Sequence, residues 1–501
     1  MEPVEKTAPL NGLLKVKLAK ISHVLYPQPP AGRSDDELTR PPPPYAIIDF
    51  DKSQVCCHAF YPGPHEPAVW ALDGNRLTNG SAHTFDVTRQ AELHIWLYQP
   101  ADDSRDTNSD SFLGKTSFRP ALIEKGTKSK EEWLDLHGGK GSISIMTKFI
   151  ATKPLTITTE YPRGFELQFS SKTSMSALAP VSIYLKLDTQ MHYAGNVFQE
   201  SKLDNMAVRP NATQFDSPFV IPLKFDIEVP TKDISSAPGR QHFFFCVSLY
   251  HYNLFSHLMR KGPLDLAEAR FYAAQILCAI DYLHERDIVL GKLSTKRIWI
   301  DSTGYLFIGD FDLFFRDISG SRLPWPQSSW EEAWHLRETS DAAKDHIAPE
   351  ILRSQSHPSQ IHASVDWWSF GIILHEMLVA TVTFDLTDYA PADTTLELQS
   401  SFNGISVGET AKDFIMKLLS PDPLQRLGAN GAAEIKSHPF FNGIDWPKLM
   451  RKEYIPKLRP PLPKKQDQAW ASSSSPTPEL SEEFKAQFAG WSYNRPEKQG
   501  T

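Results

Sequence analysis

The chain has 501 residues, 41% hydrophobic and 22% charged, with a formal net charge of −8. That length exceeds one ordinary domain and leaves room for two or three, while the acidic balance argues against nucleic-acid binding, which favours a basic face. Four cysteines (Cys56, Cys57, Cys246, Cys278) at no metal-ligand spacing exclude a disulfide framework, and no apolar run approaches the roughly eighteen residues of a membrane span.

The opening MEPVEKTAPLNG carries no cationic stretch followed by an apolar one, so no signal peptide is expected. Residues 1–11 are expected to be disordered. From Gly12 the pattern is strand-like: Leu14-Lys15-Val16-Lys17-Leu18 alternates, as do Ala46 to Phe50, Glu92 to Tyr98 and Ser142 to Met146. Pro- and Gly-bearing loops separate these runs, and helical periodicity is nearly absent, which predicts an all-β sandwich over residues 12–155. Asp110-Ser111-Phe112-Leu113-Gly114, followed by Glu132 to Leu136, resembles the C2 domain found in fungal protein kinases. Asp102, Asp103, Asp106 and Asp110 crowd one loop as calcium ligands do in C2 domains, but Gln99 stands where aspartate is usual. The earlier loop offers only Asp35-Asp36, and calcium needs six to eight oxygens. A solvated acidic loop is the expectation, with calcium-free protein or lipid contact left open.

Residues 160–441 open strand-rich and turn helical after Asn253, which suggests a small lobe to about residue 252 and a large lobe over 253–441. The amphipathic run LDLAEARFYAAQILCAIDYLHERD is followed in order by Gly309-Asp310-Phe311-Asp312, Ile347-Ala348-Pro349-Glu350, Val365-Asp366-Trp367-Trp368, Asp422-Pro423-Leu424-Gln425-Arg426 and His438-Pro439-Phe440-Phe441. This ordered set resembles the AGC branch of the serine/threonine protein kinases, especially the serum- and glucocorticoid-induced kinases and their fungal relatives. The resemblance implies a two-lobed α+β kinase fold with structural roles for Phe311, Glu350, Asp366 and Arg426. Asp366 would tie the catalytic loop to a central helix, and Glu350 would pair with Arg426 beneath the activation segment.

At the chemical positions the chain departs from that family. Aligning Val181 to Gln190 with the second strand puts Asn196 where the phosphate-binding lysine belongs, and Val208 where its carboxylate partner belongs. Losing both avoids an unpaired charge. The stretch FELQFSSKTSMSALAPV has no glycine where backbone amides would approach phosphates. In the catalytic loop Lys292 replaces the proton-accepting aspartate and Arg297 the metal-binding asparagine; the Lys292-to-Asp310 interval matches the family and excludes a shift onto Asp287. Phosphoryl transfer needs positioned charges, so these departures predict no intact catalytic set; Lys172 or Lys186 could in principle replace the missing lysine, but both read as ordinary solvated strand lysines. No cofactor is fixed by the sequence: plain core packing is the expectation for Val181, Ala194 and Asp310, and the alternative is ATP with Mg²⁺, Asp310 as metal ligand and Val181 and Ala194 lining an adenine site.

Residues 442–501 form a Pro- and Ser-containing tail. Phe488, Trp491, Ser492 and Tyr493 resemble the AGC hydrophobic motif with Ser492 as its phosphosite, Thr477 the turn-motif site, and Thr339 aligns with the activation threonine. These features lead to the expectation of a non-catalytic pseudokinase, cytoplasmic or membrane-peripheral. It would bind protein partners, an active AGC kinase or its upstream kinase, through the tail, with no nucleic acid and no transmembrane segment. The alternatives are a divergent ATP-dependent serine/threonine kinase and a peripheral adaptor acting through its C2-like domain.

Overall fold

A computed structural model describes residues 12–24, 41–62, 66, 68–70, 82–101, 107–122, 131–152, 165–171, 182–199, 215–221, 223–230, 240–247, 252–286, 288–291, 293–309, 346–353, 363–379, 407–460 and 491–492. Residues 1–11, read as disordered from sequence, lie outside the described residues.

The N-terminal region is sheet-rich. Its strands are β1 (Gly12–Ser22), β2 (Tyr45–Phe50), β3 (Ser53–His58), β4 (His83–Val87), β5 (Leu93–Gln99), β6 (Ser111–Phe118), β7 (Glu131–Asp135) and β8 (Ser142–Ala151). They make two four-stranded antiparallel sheets, ordered β4-β1-β8-β7 and β3-β2-β5-β6. Successive side chains on a strand point to opposite faces. Leu14, Val16 and Leu18 therefore share a core with Ile48 and Phe50 of β2, Ile95 and Leu97 of β5, and Ile143 and Ile145 of β8. The other face of the second sheet is not solvated, as it commonly is in antiparallel sheets. Tyr45, Ile47, Trp96 and Tyr98 instead join the core of the rest of the chain.

That second part begins with β9 (Phe165–Ser171), β10 (Ser182–Lys186), β11 (Met191–Gln199), β12 (Leu223–Pro230) and β13 (Arg240–Val247), ordered β12-β13-β11-β10-β9. The helical lobe follows. Asn253 caps α1 (Leu254–Lys261) through the Ser256 amide, and Gly262 ends it in the left-handed region. Asp265 and Glu268 form a reciprocal capping box on α2 (Leu266–His284). Then come β14 (Ile298–Ile300), β15 (Leu306–Ile308), α3 (Pro349–Arg353) and α4 (Ser364–Val379). The chain continues through α5 (Glu409–Leu418), α6 (Ala432–Lys436), α7 (Trp446–Met450) and the two-residue β16 (Trp491–Ser492). α4 is buried on every side from Ser364 to Leu378, as expected of a helix that is apolar all round, and it forms the axis of this lobe. No helix among the described residues is long and apolar enough to cross a membrane.

Burial also leaves a pH signature. It holds the imidazoles of His83, His257 and His375 at about 4, with Lys261 adding to the effect at His257. Between roughly pH 6.5 and 4 the unfolded chain binds protons that the folded chain refuses. Their contribution is complete above that window and is lost as pH falls through it, by about 1.4 kcal/mol per pH unit for each group. Urea midpoints should drop from pH 7 to pH 5. His257→Gln, which keeps a partner for the Tyr252 hydroxyl 2.9 Å away, should flatten the slope by one group; an unchanged slope would contradict this assignment.

Candidate active site

The frame of the site is built from α4. Asp366, fully buried in its first turn, accepts from the backbone amides of Leu290 (2.8 Å) and Gly291 (2.6 Å), and its Oδ2 lies 2.7 Å from His284 Nε2. Gly291 sits in the left-handed region at φ 73°, a conformation that suits glycine. The carboxylate therefore fixes the entry to the loop that carries Lys292, itself outside the described residues. The loop ends in a 3₁₀ turn, Thr295–Arg297. There the Gly309 amide donates to the Arg297 carbonyl (3.0 Å) and Trp299 Nε1 to the Gly309 carbonyl (3.2 Å). Arg297 is thus brought beside the strand end that leads into Asp310, while Asp310 and Phe311 lie outside the described residues.

Arg426 and Glu350 form a two-pronged pair, Nη1 to Oε1 at 2.7 Å and Nη2 to Oε2 at 2.9 Å. The guanidinium also donates to the carbonyls of Ser364 and Ser420 and lies over the Trp368 ring. Arg426 is fully buried, whereas the Glu350 side chain keeps 25% exposure.

In the small sheet, Ala194 on β11 pairs in register with Ile183 and Cys246, and Asn196 with Phe244. Val181, Val208 and Lys172 lie outside the described residues, as do Thr339, Thr477, Phe488 and Tyr493. Trp491 and Ser492 run antiparallel to β9, opposite Ser171 and Ser170, at the edge of the small sheet. Lys186 is not a solvated strand lysine and is not free to replace a phosphate-binding lysine. Its amine is buried between Asp86 (2.8 Å) and Asp188 (2.6 Å).

The acidic loop needs a similar correction. Asp102, Asp103, Asp106 and Asp35-Asp36 lie outside the described residues, but Asp110 is not solvated. It accepts from the Tyr45 hydroxyl (2.6 Å) and the Ala101 amide (3.1 Å). Gln99 is buried too, donating to the Pro42 carbonyl. Arg459, in a proline-rich stretch with no local mark of importance, reaches the same place. It donates to Tyr45 Oη (2.7 Å) and the Thr107 carbonyl, lies 3.7 Å from Asp110 and stacks over Tyr98. Sequence reasoning missed this contact because its partners are about 350 residues or more away in the chain.

Residues 216–441 match the protein kinase domain family. Across 90% of its length the chain is 30% identical to serine/threonine protein kinase ypkA of Aspergillus fumigatus, covering 73% of that protein. It is 29% identical to serine/threonine-protein kinase gad8 of Schizosaccharomyces pombe over 90% of this chain and 76% of that one. The same identity holds to serine/threonine-protein kinase YPK1 of Saccharomyces cerevisiae, over 91% and 68%. These relatives overturn the expectation of a pseudokinase: proteins aligned over nearly the whole chain are named as kinases. The physical reason is that phosphoryl transfer depends on where charges and oxygens sit around the phosphates. The residue types missing at Asn196, Val208, Lys292 and Arg297 do not by themselves decide that. The frame around Asp366 and Arg426, the match over residues 216–441 and the near full-length similarity lead to one conclusion: the chain belongs to the AGC family of serine/threonine protein kinases.

Proposed function

We propose that this chain is an ATP-dependent protein serine/threonine kinase with a rearranged site. Its domains are a C2-like domain over residues 12–155, a kinase domain over 160–441 and an AGC-type tail over 442–501. The observation that carries the activity is the alignment of 90% of the chain with a named serine/threonine protein kinase at 30% identity. The held entry to the Lys292 loop supports it, because positioning is most of what a protein contributes to phosphoryl transfer. In this reading Lys292 and Arg297 supply the positive charge for the nucleotide's phosphates that Asn196 does not. Asp310 remains the carboxylate for a magnesium ion, which would neutralise phosphate charge when bound. Asp310, which lies outside the described residues, is the residue that would hold the ion. The two four-stranded sheets around one core support the C2-like reading, and Phe488 to Tyr493 are read as the hydrophobic motif.

The test is transfer of labelled phosphate from ATP to serine- or threonine-bearing protein substrates by the full chain. Incorporation is expected, lost on Asp310→Ala and reduced about 10²-fold or more on Lys292→Ala. Incorporation no greater than that of the Asp310→Ala protein would sink the reading.

A further inference from the structure

β2 and β3 are joined by only two residues, Asp51 and Lys52, both in the left-handed region at φ 49° and 64°. A two-residue hairpin turn of this type favours Asn-Gly or Asp-Gly, because side chains beyond Asn and Asp are strained there. Lysine at the second position therefore costs stability that glycine would not. Such an outlier points to a role outside the turn itself.

The two side chains show where that role lies. Asp51 is buried and takes Lys224 of β12 and the Arg89 guanidinium, whose Nε approaches to 2.8 Å. Lys52 donates to the carbonyls of Ser217 (2.6 Å) and Val220, and Arg89 Nη1 donates to the Phe215 carbonyl (2.8 Å). Three carbonyls of residues 215–220 are thus held from the N-terminal region. This same segment is also tied to the large lobe just before the chain enters the small sheet. Ile221 donates to the Ile308 carbonyl (2.9 Å) and Ile308 to that of Phe219 (2.8 Å), tying it to β15, and the Asp216 amide bonds the Tyr282 hydroxyl of α2 (2.7 Å). Two residues beyond Ile221, the chain enters β12 of the small sheet.

The grip extends to each lobe separately. Asp86 of β4 pairs with Lys186 (2.8 Å) and accepts from the Tyr193 hydroxyl (2.6 Å) on the small sheet. On the other lobe, Gln54 accepts from the Ser302 amide (2.9 Å), and Trp96 meets Tyr305 edge-on. We propose that the Asp51–Lys52 tip is a positioning element for the phosphoryl-transfer reaction, a wedge that fixes how the two lobes sit about residues 215–224. Catalysis between two lobes depends on hinge geometry, and a wedge held by both lobes narrows the range of open forms. The catalytic half of this inference rests on the kinase reading; the mechanical half does not.

The experiment uses the full chain and the double variant Asp51→Asn, Lys52→Gly, which is the preferred sequence for the turn and leaves the hairpin intact. Amide hydrogen exchange of peptides spanning 215–224 is expected to quicken about tenfold, with the 45–58 hairpin unchanged or slower. The apparent KM for ATP should rise about fivefold, as the binding-competent fraction falls, with kcat within about twofold. Lys52→Met, which preserves side-chain bulk, should move both readings in the same direction by less. Unchanged exchange at 215–224 would overturn the wedge whatever the activity. Quickened exchange with unchanged ATP kinetics would overturn its role in the reaction. If the unaltered chain transfers no phosphate, the kinase reading fails, and exchange alone decides the wedge.

Discussion

Asp366→Ala is expected to destabilise the chain by about 3–5 kcal/mol, the range for removing one member of a buried charged network. The reason is local and countable. Its carboxylate satisfies two buried backbone amides, Leu290 and Gly291, and faces His284 at 2.7 Å. Each orphaned buried amide costs about 1–3 kcal/mol, and alanine leaves a void in which neither finds a partner. Asp366→Asn should cost roughly half as much: its oxygen still accepts one amide, but its NH₂ now faces a donor. Denaturant unfolding measures both. Under the kinase reading, transfer should fall further than stability explains, because the Lys292 loop loses its anchor. A cost below about 1 kcal/mol for Asp366→Ala would mean that the loop finds other partners.

The Arg426–Glu350 pair yields an asymmetric prediction. Glu350→Ala leaves a fully buried guanidinium without its carboxylate, whereas Arg426→Met leaves a glutamate whose side chain is 25% exposed and can turn to water. An uncompensated buried charge is the costlier state. Glu350→Ala should therefore cost about 5 kcal/mol and Arg426→Met about 3, at the two ends of the range for breaking such pairs. The carbonyls of Ser364 and Ser420 moderate the first by keeping their hydrogen bonds to Arg426. In the double variant Glu350→Ala, Arg426→Met the cost should be well below the sum, because each change removes the other's unpaired partner. Equal single costs, or the reverse order, would contradict the exposure argument.

Much of the fold was legible because the relevant signals are local. Leu14, Val16 and Leu18 alternate with lysines, and a period of two leaves a half-buried strand as the economical solution. The apolar positions of LDLAEARFYAAQILCAIDYLHERD recur at helical spacing, so α2 was legible as one amphipathic run. The order of motifs from Gly309 to Phe441 carried the kinase family, which the 30% identity to ypkA over 90% of the chain shows. The activity was misread for an equally physical reason. Aligned positions such as Asn196 and Lys292 report which residue is present, not what surrounds a phosphate in the folded site.

Burial of charge was the least legible property. Lys186 and Asp110 read as solvated residues, and nothing near Arg459 marked it at all. In a sequence a lysine at the surface and a lysine wedged against carbonyls look alike. Their difference lies in partners such as Asp51 and Lys224, which stand 173 residues apart. By itself, then, the sequence determined the element types, their order and the family, because periodicity, capping and motif spacing act within a few turns of chain. Only the tertiary structure decided that the outer face of the N-terminal sheet is a core face, that Arg459 closes onto it, and that the strained Asp51–Lys52 tip grips the segment 215–220 packed against both lobes. Desolvation and long-range ion pairing exist only once distant segments meet.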